Sequence, residues 1–270
     1  MVKKLFKHEL FAVLRLWLPM QIILMAVALF GRIIQFFETD TQAYRIVFGS
    51  ATVIYVIALI ASLMLTLIFG IVRFYKNMFS CEGYLSFTLP VTATQHIMVK
   101  TLVAGASMVG TVLVAFVSFM LFSAGEVFVE VMKAVGYLIK RFSAEFGAGN
   151  TVAYVVEGVL LVAAYILMMY LLYYACIALG QTFKKNRVIG AVGVYFIYYA
   201  ITQVVATVFI IICTFLADSG LFQAIGEFID AQPEISVHLI LCALLFWSAL
   251  FAAIYFFIIR WVIRNKLNLE

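Results

Sequence analysis

Residues whose type and spacing could support catalysis are scarce in this chain of 270 residues. A zinc hydrolase helix needs a second histidine four positions after the first, and His8-Glu9 has none. A phosphate-binding loop needs the pattern GxxxxGK(S/T), and residues 180–185, GQTFKK, lack its second glycine and its spacing. The other histidines, His96 and His238, are too far apart in sequence to predict a metal site. We therefore expect no enzymatic activity, no catalytic residue and no cofactor or metal site in this chain.

Two rows of neutral polar residues in apolar surroundings are the remaining candidates for a binding site. The first, which we call the span-two row, recurs at intervals of three, seven and four and consists of Thr52, Tyr55, Ser62 and Thr66. The second, the span-five row, consists of Tyr195, Tyr199, Thr202 and Gln203. Polar residues in lipid commonly hold helices together. The alternative is that both rows line a path for an amphipathic substrate.

The segment 73–100 is long for a connection between two helices. Gly83 can interrupt a helix because it lacks a side chain. Thr92 followed by Gln95 fits a capping box, which starts a new helix. The sequence therefore predicts a short helix over about 80–88, a turn, and a further helix that begins near Thr92.

Aromatic residues are frequent in this segment, and we expect them on the surface. They are Phe74, Tyr75, Phe79, Tyr84 and Phe87. Aromatic anchors dominate many protein–protein contacts, and an acidic residue beside them could form an ion pair with a partner. The predicted contact surface consists of Phe79, Glu82, Gly83, Tyr84 and Phe87. The alternative is that the rings only belong to the aromatic belt of a membrane interface.

The composition shows which elements must position these residues. Hydrophobic residues make up 66% of the chain and charged residues 11%, whereas soluble domains have about 45–50% apolar and about 25% charged residues. The chain is therefore predicted to be a polytopic membrane protein, and a nucleic-acid-binding function is excluded in spite of the net charge of +5.

Six runs are apolar on every face and long enough to cross a bilayer as helices. The predicted spans cover about 16–37, 46–72, 101–123, 154–181, 188–216 and 237–259. Strands of a membrane barrel would alternate apolar and polar residues, and these runs do not. We therefore predict an all-α fold with a single transmembrane domain over 1–270.

The distribution of charge predicts the orientation of the spans. With six spans, the side that holds both termini carries 13 Lys/Arg and 3 Asp/Glu, and the opposite side carries 5 Lys/Arg and 10 Asp/Glu. Because basic residues accumulate in cytoplasmic loops, we expect both termini in the cytoplasm.

Residues 2–18 are predicted to form an amphipathic helix that leads into the first span and lies in the membrane interface. Its apolar face would consist of Phe6, Leu10, Val13, Leu14 and Trp17. On the opposite side of the membrane, 123–151 has the pattern of a re-entrant or interfacial helix. Residues 217–236 carry acids without bases, which predicts a solvated acidic face.

Residues 80–92, SCEGYLSFTLPVT, followed by Gln95, His96 and Lys100, resemble the loop after span two of bacterial ABC type-2 exporter permeases. The amphipathic start and the six spans are similar to that family over nearly the whole chain. The resemblance implies that 73–100 carries a coupling helix that docks on an ATP-binding subunit, and that residues 2–18 correspond to the connecting helix. It also implies a homodimer or heterodimer of permeases in which spans two and five line the substrate path.

The expected function is therefore that of the membrane-spanning permease subunit of an ATP-driven ABC exporter in the bacterial plasma membrane. ATP and magnesium would bind the partner ATPase, and the cargo would be an amphipathic or hydrophobic peptide, drug or lipid. Two alternatives remain open. One is a non-transporting membrane sensor or immunity protein, and the other is a secondary transporter, which would usually have a carboxylate or a broken helix near the membrane midplane.

Overall fold

The computed structural model describes residues 2–37, 39, 41–80, 83, 91–123, 125–183, 186–217 and 220–265. Eight helices, and no strand, are found in this part of the chain. Six are long and apolar enough to cross a membrane: α1 (Val2–Gln35), α2 (Gln42–Phe79), α3 (Ala93–Phe122), α5 (Ala148–Gly180), α6 (Arg187–Leu216) and α8 (Pro233–Asn265). The other two are α4 (Glu126–Phe146) and α7 (Gly220–Ala231). The predicted all-α polytopic fold is confirmed.

Each predicted span falls in one long helix, although most helices extend further than the apolar runs. The amphipathic start and the first span, predicted at 16–37, are one continuous helix that ends at Gln35. Pro19 lies inside this helix and does not end it. At the start of α3 the predicted capping box is confirmed. The Thr92 hydroxyl accepts from the Gln95 backbone N–H at 3.4 Å, and the Gln95 side chain accepts from the Thr92 backbone N–H at 3.0 Å.

The chain divides into two compact units, Met1–Leu138 and Ile139–Glu270. In the first unit α1 packs on both α2 and α3, and in the second unit α5 packs on α6 and α8. The prediction of one permease domain over the whole chain stays a prediction. The helix predicted within 123–151 is α4, whose residues are mostly exposed, and α7 exposes the acids Glu227 and Asp230.

The core of the first unit lies between α1 and α3. Val13 of α1 is buried against Val99 and Val103, and Leu5, Phe6, Leu10 and Trp17 pack around this cluster. The apolar face predicted for residues 2–18 therefore contacts another helix of the protein instead of being available to insert into lipid. Nearer the other end, Gly31 allows a close approach of α1 to α3, because a Cβ atom there would collide with the ring of Phe122.

Candidate functional site

A buried cluster of three charged residues lies where α1, α2 and α3 meet. We call Glu9, Arg73 and Lys100 the ion triad. The Glu9 carboxylate accepts two hydrogen bonds from the Arg73 guanidinium, at 2.8 Å from Nε and 3.2 Å from Nη2. It also accepts one from Lys100 Nζ at 3.0 Å. One carboxylate therefore joins the start of α1, the end of α2 and the start of α3.

The surroundings of the ion triad keep Glu9 charged. Only 8% of Glu9 and 6% of Lys100 is exposed. Burial alone would raise the pKa of the Glu9 carboxyl, but the hydrogen bond from Arg73 and the charges of Lys100 and Arg73 outweigh this effect. The pKa of Glu9 therefore lies below its ordinary value. Two cations share this one buried carboxylate, and the cluster stabilises the packing of the three helices. Removing one member would leave a buried charge without its counter-charge.

The sequence did not reveal the ion triad, because its members are 27 to 91 positions apart. The positions of two of its members are visible in the sequence, however. Arg73 and Lys100 are the charged residues at the two limits of the segment 73–100, next to the apolar runs of α2 and α3. Charges at such positions face either lipid headgroups or each other, and the sequence alone does not distinguish the two.

The predicted contact surface in segment 73–100 is described only in part. Glu82, Tyr84 and Phe87 lie outside the described residues, and so does most of the helix predicted over 80–88. Gly83 is described, and its backbone N–H donates to the Ser80 carbonyl at 2.7 Å. Phe79 was expected on the surface, but it is only 7% exposed and its ring packs edge-on against Phe74 at 5.8 Å.

The expectation of exposed rings is therefore wrong for Phe74 and Phe79. Phe74 is 1% exposed, since the last turns of α2 continue to pack inside the unit after the apolar run has ended. The coupling role of segment 73–100 does not depend on these two rings and stays a prediction.

The span-two row lies mainly inside the first unit. Tyr55, Ser62 and Thr66 are each less than 5% exposed. The Tyr55 hydroxyl lies 3.1 Å from that of Ser118 on α3, and the Thr66 hydroxyl lies 3.0 Å from that of Thr111. Thr52 is half-buried and donates to a backbone carbonyl of its own helix. For this row the geometry supports the helix-packing alternative.

Thr111 is the centre of this hydrogen-bond network. Its hydroxyl accepts from Trp17 Nε1 at 2.8 Å and from Gln21 Nε2 at 3.3 Å, so it also connects α3 to α1. The hydroxyl of Ser62 is buried and has no hydrogen-bond partner among the described residues. Tyr55 and Thr66 of the span-two row therefore have partners on α3, and Thr111 links this contact to α1.

The span-five row has the opposite environment. No residue of α6, all of which the structure describes, is buried. Tyr199 is 58% exposed, and Gln203 is also exposed. Tyr195 is half-buried with its ring stacked on Tyr173 of α5 at 5.7 Å, and the Thr202 hydroxyl donates to the Tyr199 carbonyl. Tyr199 and Gln203 are therefore available to lipid, substrate or a second chain, whereas Tyr195 and Thr202 are half-buried.

The second unit has its own polar cluster where α5 and α8 begin. His238 Nδ1 lies 2.8 Å from a carboxylate oxygen of Glu157, and both side chains are partly exposed. Asn150 Nδ2 donates to the Glu234 carboxylate at 2.6 Å, and the Tyr154 hydroxyl donates to the Glu234 backbone carbonyl. These contacts hold the first turns of the two helices side by side.

Further along the same two helices there is an open apolar groove of about 380 Å³. It is lined by Leu161, Val162, Tyr165, Ile166, Met168, Leu244, Trp247 and Ser248. Its lining contains no charged residue and suits a hydrocarbon chain. Among the residues that the structure describes, no three metal-ligating side chains lie close enough together to hold a metal ion. Comparisons with protein-family models, with curated proteins and with solved structures find no match for this chain.

Proposed function

We propose that the chain is the membrane-spanning permease subunit of an ATP-driven ABC exporter. The six long apolar helices support the assignment of the chain as a multi-pass membrane protein. The finer assignment rests on the resemblance of residues 80–92 and on the packing around that segment. In this proposal the chain works as a homodimer or heterodimer in the bacterial plasma membrane, with both termini in the cytoplasm. A separate subunit binds ATP and magnesium.

The observation that carries the proposal is the position of the ion triad. Arg73 and Lys100 stand at the two ends of the segment that would carry the coupling helix, and both bind the carboxylate of Glu9. A displacement of that segment must therefore act on α1, α2 and α3 together. An element that passes the closure of an ATPase to a membrane domain needs this kind of rigid support.

The exposed span-five row supports the second part of the proposal. A glutamine and a tyrosine facing hydrocarbon would leave polar groups unsatisfied, and a second permease chain or an amphipathic substrate would satisfy them. Tyr199, Thr202 and Gln203 are therefore the residues assigned to the substrate path or to the dimer. A peptide, a drug or a lipid fits such a surface, whose other residues are apolar.

The test is co-purification of the tagged chain from its native cells, to see whether a separate ATP-binding subunit accompanies it, followed by ATPase and transport assays. The combined variant Glu82→Ala with Tyr84→Ala is compared with Glu130→Ala with Tyr137→Ala. The control changes the same residue types on α4, where Tyr137 is 64% exposed and Glu130 is also exposed. We expect only the first variant to lose the ATPase or to uncouple hydrolysis from transport.

Other outcomes identify the alternatives. Transport that continues without any ATPase and depends on an ion gradient would establish a secondary transporter. A chain that binds a ligand or protein and moves no cargo would be a sensor or an immunity protein. If the ATPase binds both variants equally and transport is normal, segment 73–100 is only a membrane anchor.

A further inference from the structure

The first turns of α1 expose positive charge only. Lys3, Lys4, Lys7, His8 and Arg15 are all exposed. Glu9 is the single acid in α1, and the ion triad removes it from the surface. Because the apolar face of this segment packs on α3, the surface that remains is cationic with exposed Phe11 (61%) and Leu16 (54%) beside it. The sequence has a mixed-charge segment here, whereas the folded protein has a basic one.

The ion triad also locates this basic surface relative to the bilayer. The apolar run of α2 ends at Arg73 and that of α3 begins after Lys100, so Glu9 lies at the same edge of the apolar zone. At the other end, the Gln35 side chain of α1 donates to the Phe122 carbonyl of α3. From Lys100 to Phe122 a helix rises about 33 Å, which matches a hydrocarbon core of about 30 Å.

The three lysines therefore lie at the depth of lipid headgroups. At a rise of about 1.5 Å per residue, Lys7, Lys4 and Lys3 are about 3 to 9 Å beyond Glu9 along the helix axis. The headgroup layer extends about 5 to 8 Å beyond the hydrocarbon on each side. Arg15 lies on the apolar side of Glu9, and its long side chain can extend back to the same layer.

We propose that Lys3, Lys4 and Lys7, assisted by Arg15, form a binding surface for anionic phospholipid headgroups. Phosphate esters of one bilayer leaflet complement this charge, and the exposed ring of Phe11, with Lys7 Nζ 5.9 Å from its centroid, suits the boundary between headgroups and acyl chains. The inference goes beyond the proposed transport function and does not depend on it, because it uses only the membrane crossing and the burial of Glu9.

The helix α4 provides a contrast within the same chain. It exposes three bases, Lys133, Lys140 and Arg141, but it also exposes the acids Glu130 and Glu145. Its surface charge is therefore mixed, and it should show little preference for anionic lipid. The three lysines at the start of α1 are matched in number by the three bases of α4, so the two sets form a matched pair for an experiment.

The experiment uses the full chain in phosphatidylcholine vesicles that contain a trace of spin-labelled phosphatidylglycerol or spin-labelled phosphatidylcholine. Electron spin resonance measures the fraction of each label immobilised on the protein. One basic side chain near a membrane surface gives about a fivefold preference at its own site. Averaged over all lipid positions around the protein, we expect phosphatidylglycerol to be preferred by about twofold or more.

Three variants decide the outcome. The triple change K3Q/K4Q/K7Q should remove at least half of the preference, K133Q/K140Q/R141Q should leave it intact, and K3R/K4R/K7R should retain it because the charge is kept. High salt should weaken the preference in the unchanged chain. If K3Q/K4Q/K7Q keeps the full preference, or if the α4 variant loses as much, the proposal is overturned. A chain without any preference for phosphatidylglycerol, whose basic turns instead bind an acidic protein, overturns it as well.

Discussion

The two polar rows follow the same pattern in sequence but have opposite environments in the structure. The span-two row is largely buried in the first unit, where its hydroxyls meet those of Thr111 and Ser118. The span-five row lies on a helix without a single buried residue. Hydroxyls and amides in an apolar helix are therefore not evidence for a substrate path by themselves. Whether such a row packs helices or can bind a substrate depends on the neighbouring helix, which either supplies hydrogen-bond partners or leaves the row exposed.

The carboxylate contacts of the two units differ in a similar way. The ion triad is buried, and its carboxylate receives three hydrogen bonds from two cations. The pair of His238 and Glu157 in the second unit is partly exposed. Buried charge clusters lose several kcal/mol when a member is removed, whereas exposed pairs contribute little. The first unit is therefore the one whose packing depends on charge.

The largest expected effect on stability compares the ion triad with the contact between His238 and Glu157. Glu9→Gln should destabilise the purified chain by about 3 kcal/mol, because Arg73 and Lys100 lose the carboxylate that they share. Glu157→Gln should cost at most about 1 kcal/mol. Thermal unfolding in one detergent, monitored by loss of helical circular dichroism, measures both. Equal losses in the two variants would mean that burial of the triad does not increase its contribution.

The pH dependence of the same variants gives an independent measurement. Because the pKa of Glu9 is lowered in the folded protein, its contribution is complete above the unfolded pKa of about 4.3 and is lost as the pH falls through the folded value. The stability difference between the unchanged chain and Glu9→Gln should therefore be constant near neutral pH and shrink on acidification. A difference that grows as the pH falls would contradict the lowered pKa.

An intermediate effect distinguishes the buried hydroxyls from the exposed ones. Thr111→Val removes the acceptor of Trp17 and Gln21 and the contact with Thr66, and it should cost about 1–2 kcal/mol. Thr207→Val on α6 removes a hydroxyl whose one hydrogen bond among the described residues goes to the Gln203 backbone carbonyl, and it should cost less than about 0.5 kcal/mol. Thermal unfolding again provides the comparison. Equal costs would show that the buried hydroxyl on α3 and the exposed hydroxyl on α6 do not differ in their contribution to packing.

A smaller effect on stability is expected in the span-five row, together with a large effect on function. Tyr199→Ala with Gln203→Ala should change the stability of the isolated chain by less than about 0.5 kcal/mol, since both side chains are exposed. Under the proposed function this variant loses dimer formation or the stimulation of the ATPase by substrate. Phe209→Ala, which changes an equally exposed ring on the same helix, is the control and should keep both.

Much of the fold could be predicted because long apolar runs and one capping box are local signals. The six spans and the start of α3 at Thr92 depend only on neighbouring residues. The ion triad could not be predicted, since Glu9 meets Lys100 only after three helices have packed. The partners of the span-two row could be recognised in part, because the hydroxyls of Thr111 and Ser118 lie seven residues apart on one face of α3.

Exposure was the property that sequence reasoning judged least well. Phe74 and Phe79 were placed on the surface because their segment is polar, yet the helix α2 continues through them and turns both rings inward. Glu9 lies among bases in the sequence, whereas the fold buries it and leaves Lys3, Lys4 and Lys7 outside. For Glu9, contacts distant in sequence decide which face of the helix is covered.

The smallest expected effect is also a direct test of the span-two row. Ser62 is 4% exposed, and its hydroxyl has no hydrogen-bond partner among the described residues. Removing a buried hydroxyl that makes no bond is nearly neutral or slightly stabilising, so Ser62→Ala should leave the unfolding temperature unchanged or raise it slightly. Thr66→Val is the matched control in the same row, because its hydroxyl lies within hydrogen-bond distance of the Ser62 carbonyl and of Thr111.

That control should cost about 0.6 kcal/mol, the average for a hydrogen bond between membrane helices. The substrate-path alternative differs from helix packing in the expected activity of the Ser62 variant and not in its stability. Under it, Ser62→Ala changes substrate-stimulated ATPase activity at unchanged stability, because the free hydroxyl is the group that would bind cargo. Under helix packing, activity stays within about twofold of the unchanged chain, a change of less than about 0.5 kcal/mol. Unfolding curves and ATPase titrations on these two variants therefore decide whether the interior of the first unit only holds its helices together.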